Sequence, residues 1–86
     1  MAKARWCTQS VMVRRARTGP GSSAQKARSY VRKKGYRAGR AEKTEGFYRF
    51  RQAPPTRFRK RSMRTLCVSH RMCFVRGILK EKGACP

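Results

Sequence analysis

Phe47-Tyr48-Arg49-Phe50-Arg51-Gln52, followed by Ala53-Pro54-Pro55, is the stretch that decides the fold. Side chains alternate sides along an extended chain, so Tyr48 and Phe50 point one way and Arg49 and Arg51 the other. Aromatic residues in a period of two predict a strand with one buried face and one basic face. Pro54-Pro55 ends it, because proline has no N–H to give to a ladder.

Upstream, Glu42-Lys43-Thr44-Glu45-Gly46 reads as a hairpin loop, and residues 36–41 as the strand before it. Further back the period changes. Ala24, Ala27 and Val31 recur at spacings of three and four, with Tyr30 beside them, which predicts a helix over 23–34. Ser22 and Gln25 form a capping box at its start. Gly35 suits the left-handed position just past its end, with Tyr36 packing back on the last turn. The outer face carries Lys26, Arg28, Arg32 and Lys33.

Downstream, residues 56–62 make a basic connector around Phe58. Residues 63–68 form a strand, 69–72 a turn, and 73–79 a last strand interrupted by Gly77. The expected fold is α+β: one helix packed on a small, mostly antiparallel sheet of three to four strands, spanning 22–80. Its expected core is Tyr30, Val31, Tyr36, Phe50, Leu66, Phe74, Val75, Ile78 and Leu79. Residues 1–21 hold five bases and no acid, and close on Thr18-Gly19-Pro20-Gly21. They read as a flexible basic arm with a short extended piece at 11–14, in which Trp6 either docks on the core or stacks on a base, docking being the favoured reading. Residues 81–86 read as a loose tail.

Sixteen Arg and eight Lys face three Glu in 86 residues, a formal net charge of +21. Only twelve residues are Leu, Ile, Val or Phe, so one small core is the most this chain can enclose. No apolar run is long enough to cross a bilayer. Solubility needs a net charge of only about 2–8. The remainder calls for a polyanion, and neutralising phosphates gains free energy by releasing condensed cations. The excess of Arg fits that role, since guanidinium binds phosphate in a fork and stacks on bases.

The expected function is therefore nucleic-acid binding, to RNA or DNA, without catalysis. From Gly46 to Lys80 there is no acid. Arg49, Arg51, Arg57, Arg59, Lys60, Arg61 and Arg64 are the expected phosphate contacts, joined by Arg14, Arg15 and Arg17 of the arm. Phe58 is the expected base-stacking residue. Two alternatives fit the same charge: a structural component of a ribonucleoprotein or virion, akin to a ribosomal protein, and an inhibitor seated on a host nucleic-acid machine. An enzyme does not fit. One His, no Asp and three scattered Glu offer no carboxylate pair and no nucleophile beside a base.

Cys67-x2-His70-x2-Cys73, with Cys85 further on, contains the donors of a tetrahedral zinc site. The spacing matches no standard finger or knuckle. Cys67 and Cys73 read more simply as small buried apolar residues, so no metal or other cofactor is expected. The start, Met1 to Cys7, lacks the apolar segment of a secretory leader. The expectation is an intracellular, cytoplasmic protein (in the host cell, if the gene is viral) with free thiols and no membrane partner.

The frame Phe-Tyr-Arg-Phe-Arg-Gln (47–52), Pro55-x2-Phe58, Ser62-x-Arg64-Thr65, Val75-x-Gly77-x-Leu79-Lys80 resembles that of short uncharacterised basic proteins encoded by bacteriophages and mobile elements. The likeness spans about 22–80. It implies a virus-type gene with a compact helix-plus-sheet module, and the cysteines lie outside it.

Overall fold

The computed structural model describes residues 6–81 and residue 85. Residues 1–5 of the expected arm, and residues 82–84 and 86 of the expected tail, lie outside the described residues. The chain forms β1 (Trp6–Arg14), α1 (Ala24–Lys33), β2 (Ala41–Lys43), β3 (Phe47–Arg51), β4 (Arg64–Cys67) and β5 (Met72–Ile78), with single 3-10 turns at Gly19–Ser22 and Pro55–Arg57. The strands make one sheet in the order β2-β3-β1-β5-β4, every neighbouring pair antiparallel. The α+β class holds. The sheet has five strands, where three to four were expected.

The extra strand is β1, and it overturns the flexible arm. It lies at the centre of the sheet and is hydrogen-bonded on both edges, to β3 and to β5. Val11 pairs with Phe50 and Phe74, and Val13 with Tyr48 and Met72. These six side chains share the helix-facing side and form the main core with Ala27, Val31 and Ala38. The pattern was hidden because β1 carries a bulge. Its pairing with β5 passes from Thr8 opposite Arg76 to Ser10 opposite Val75, leaving Gln9 as the extra residue. A bulge reverses the alternation. Cys7 therefore falls on the face away from the helix, and Gln9 and Ser10 are buried in succession.

The helix starts one residue later than the capping pattern indicates. Ser23 is the cap, and its hydroxyl accepts the Lys26 N–H at 3.1 Å. Ser22 instead donates to the Gly19 carbonyl within the preceding turn. The C-terminal expectation holds in full. Gly35 has φ +92°. Its N–H reaches the Arg32 carbonyl and that of Tyr36 reaches Val31, the two bonds of a Schellman ending. Gln52 then ties the following segment to the end of β3. Its amide accepts the Arg37 N–H at 3.0 Å and donates to the Arg37 carbonyl at 2.7 Å.

A second, smaller cluster of Cys7, Ala53, Phe58 and Leu79, with Met63 against it, lies on the other face of the sheet. Gly77 makes it possible. A Cβ there would come within 2.8 Å of the Phe58 ring and 2.6 Å of the Met63 sulfur. The glycine does not interrupt β5, which runs through it. Of the expected core, Val31, Phe50, Phe74 and Leu79 are buried, and Tyr30, Tyr36, Val75 and Ile78 half-buried. Leu66 departs from expectation at 51% exposure. It faces the helix side, but α1 lies over β1, β2 and β3 and leaves β4 uncovered.

Candidate nucleic-acid interface

Away from the helix, β1 and β3 present Arg14, Arg49 and Arg51. Their registers set Phe47 opposite Arg14, Arg49 opposite Met12, and Arg51 opposite Ser10. The connector crosses the end of this same face, because Phe58 and Met63 enter over Gly77. Arg57, Arg59, Lys60 and Arg61 stay exposed around that plug. The backbone holds them in place. The Phe58 bridge to Leu79 is flanked by Arg59 N–H to Ile78 carbonyl at 2.7 Å and Lys80 N–H to Arg57 carbonyl at 2.9 Å. Arg61 adopts φ +66° where the connector turns back toward β4.

Apart from Arg49 and Phe58, the expected contacts lie in four places. Arg51 is exposed on the face away from the helix, and Arg57, Arg59, Lys60 and Arg61 are exposed along the connector that crosses its end. The only ion pair among the described residues is Arg51 with Glu42 at 3.7 Å, both well exposed. A pair so wet is worth about 1 kcal/mol or less and yields readily to a phosphate. Arg14 and Arg15 hold the turns at the top of the sheet. Arg14 Nε donates to the His70 carbonyl at 2.7 Å, and its guanidinium lies 4.9 Å from the Phe47 ring centre. Arg15 donates to the carbonyls of Thr44 and Glu45. Arg17 is exposed in the segment after β1. Arg64 lies on the helix side of the sheet, opposite Arg76, and so is separated from the rest.

Two expected contacts are corrected. Phe58 is 2% exposed and fills the second core, so it cannot stack on a base. Arg49 is committed to the fold. Its Nε donates to Ser10 Oγ at 2.8 Å and a terminal nitrogen to Gln9 Oε1 at 2.7 Å. Ser10 also donates to Gln9 Oε1, and Gln9 Nε2 to the Ala53 carbonyl. The network satisfies the polar residues that the bulge buries. Breaking it leaves Gln9 and Ser10 short of donors, at about 1–3 kcal/mol. Arg49→Ala should lower stability by that amount in chemical denaturation, with little change in phosphate affinity beyond the lost charge.

The expectation of free thiols is also overturned. Cys67 and Cys73 sit directly opposite each other on β4 and β5 and are joined as a disulfide. Cys7 is joined to Cys85. No free thiol remains, contrary to expectation. No group of three potential ligands gathers among the described residues, and His70 is exposed in the turn between the bonded cysteines. The signal for the first bond was present in the six-residue spacing across a turn. The second, between residues 78 apart, has no local signal.

No helix among the described residues is long and apolar enough to cross a membrane. The comparisons with known proteins add no family: no family model matches the chain, and neither a curated protein nor a solved structure matches it. The likeness to phage-encoded basic proteins rests on the quoted residues alone.

Proposed function

We propose that this protein binds nucleic acid through phosphate contacts on the face of its sheet away from the helix. The observation that carries the reading is the connector. Arg57, Arg59, Lys60 and Arg61 project from a backbone pinned to β5 and anchored by Phe58, and among the described residues none of them has an ion-pair partner. Cations held close together without partners repel each other. A polyphosphate relieves that repulsion and releases its own counterions. The binding is non-catalytic and mostly independent of sequence, because phosphate contacts position a protein without reading bases.

A ribonucleoprotein component would be favoured by a basic arm that orders only against RNA. With β1 built into the sheet centre, that argument no longer applies to residues 6–14.

The test uses protein freed of bound nucleic acid by nuclease and high salt. It should shift RNA and DNA 20-mers in a mobility assay, and should not bind polyglutamate of equal charge comparably. Replacing Arg57, Arg59 and Arg61 together by Gln should weaken nucleic-acid binding by about 10- to 100-fold, at ~0.5–1 kcal/mol per solvated contact. Comparable affinity for polyglutamate, or an unaffected triple variant, would contradict the proposal.

A further inference from the structure

The helix leaves one part of its own side of the sheet bare. Along β5 and β4 this surface runs from Trp6, opposite Ile78, through Arg76 and Arg64, to Leu66, which lies beside the buried Phe74. Trp6 is 43% exposed, contrary to its expected docking on the core. Beyond Phe74 the surface opens into a groove of about 490 Å³ between the end of α1 and the β4–β5 hairpin. Tyr30, Tyr36, Phe74 and Lys34 are among its lining residues, and the Tyr36 and Phe74 rings are 5.3 Å apart.

The centre of this track is electrostatically incomplete. Arg64 and Arg76 are direct cross-strand partners, a like-charge pair that opposes the ladder it sits in. Among the described residues no carboxylate pairs with either. Arg64 donates to the carbonyls of Arg61 and Met63, and Arg76 to the Trp6 carbonyl at 3.3 Å. Arg76 Nε has lost its water and found no acceptor. A phosphate drawn between the two guanidiniums would accept from their terminal nitrogens and offset the repulsion.

We propose that this track binds an unpaired nucleic-acid strand, with one base stacked on Trp6, the next phosphate held by Arg64 and Arg76, and a further base in the tyrosine groove. The inference rests on the nucleic-acid reading above and adds a second, base-contacting surface to it. Six residue steps separate Ile78 from Met72. At about 3.3 Å per step they span roughly 20 Å, enough for about three extended nucleotides. Aromatic planes flanking a cationic centre are the arrangement that accepts bases exposed by strand separation. A duplex keeps its bases stacked on one another and offers Trp6 nothing. A second copy of this chain does not fit, since each carries a formal +21.

Trp6 is the chain's one tryptophan, so its fluorescence reports on this surface alone. Titrating the whole protein with a single-stranded 12-mer should quench the indole saturably. A 12-base-pair duplex or inorganic polyphosphate of equal charge should bind without comparable quenching. Trp6→Ala and Arg64→Gln should each weaken single-strand affinity by about fivefold or more, leaving duplex affinity within twofold. Trp6→Tyr should restore most of the loss. Far-UV circular dichroism identifies any variant that misfolds, and quenching of the unmutated protein needs no variant at all. Equal quenching by duplex or polyphosphate, or full single-strand affinity in folded Trp6→Ala, overturns this surface and leaves the phosphate-binding face standing. Failure of the unmutated protein to bind either nucleic acid overturns both.

Discussion

Raising salt from 50 to 200 mM should cut the affinity for a DNA duplex by about a thousandfold. Six exposed cations make up the proposed surface: Arg14 and Arg51 on the strands, and Arg57, Arg59, Lys60 and Arg61 along the connector. If each meets one phosphate, log K falls with log salt at a slope near −0.9 per contact on duplex, or about −5 in all. On single strands the slope per contact is near −0.7, and the same step costs about 300-fold. Filter binding at four salt concentrations gives both slopes. The Arg57, Arg59 and Arg61 triple variant should flatten the duplex slope by about half. A slope near −1 would mean that the cations stay solvated in the complex, and the phosphate-binding face would be wrong.

Opening the Cys7–Cys85 bond should be the most damaging single chemical change to the fold. It closes a loop spanning 78 residues, nearly the whole described chain. Loop-closure entropy for such a ring corresponds to about 4–5 kcal/mol, mostly by limiting the unfolded ensemble. For a domain of this size each kcal/mol moves the melting temperature by roughly 4–8 °C. Replacing both cysteines by Ser should therefore lower the melting temperature by about 20 °C or more. Opening Cys67–Cys73 in the same way should cost less, because its six-residue ring is already held by the β4–β5 ladder. Equal melting points for the two double variants would contradict this ranking. Both bonds persist in oxidising surroundings and are reduced in an ordinary cytoplasm. The pairing therefore runs against the free thiols and reducing interior expected from the sequence.

How much of this was legible depends on where the chain is regular. Tyr48 and Phe50 alternate with arginines, and that alternation alone places β3. Gly35 followed by Tyr36 marks the helix end correctly. Only the 11–14 end of β1 is legible, because Gln9 and Ser10 interrupt the alternation before it and the arginines after Val13 give the segment the composition of a tail. Phe58 looked like a stacking residue because it stands among cations in a connector. Only the Cβ-free surface of Gly77, some twenty positions away, shows where the ring goes. The charge was legible as a class of partner. The division of that charge between two faces was not, because it depends on which side of a sheet each strand presents. Arg49 and Arg64 illustrate the cost: one is consumed by the fold and the other faces the opposite way.

The bond between residues 7 and 85 also decides how the molecule would respond to force. Tension applied through whatever is attached beyond those two positions runs along a covalent bridge and bypasses the hydrogen-bonded strands. A pulling machine that grips either end would meet a closed ring, and must either thread it as a double strand or reduce it first. Extraction by mechanical unfolding should therefore be governed by thiol chemistry, with the strength of the sheet having little say until the ring is cut.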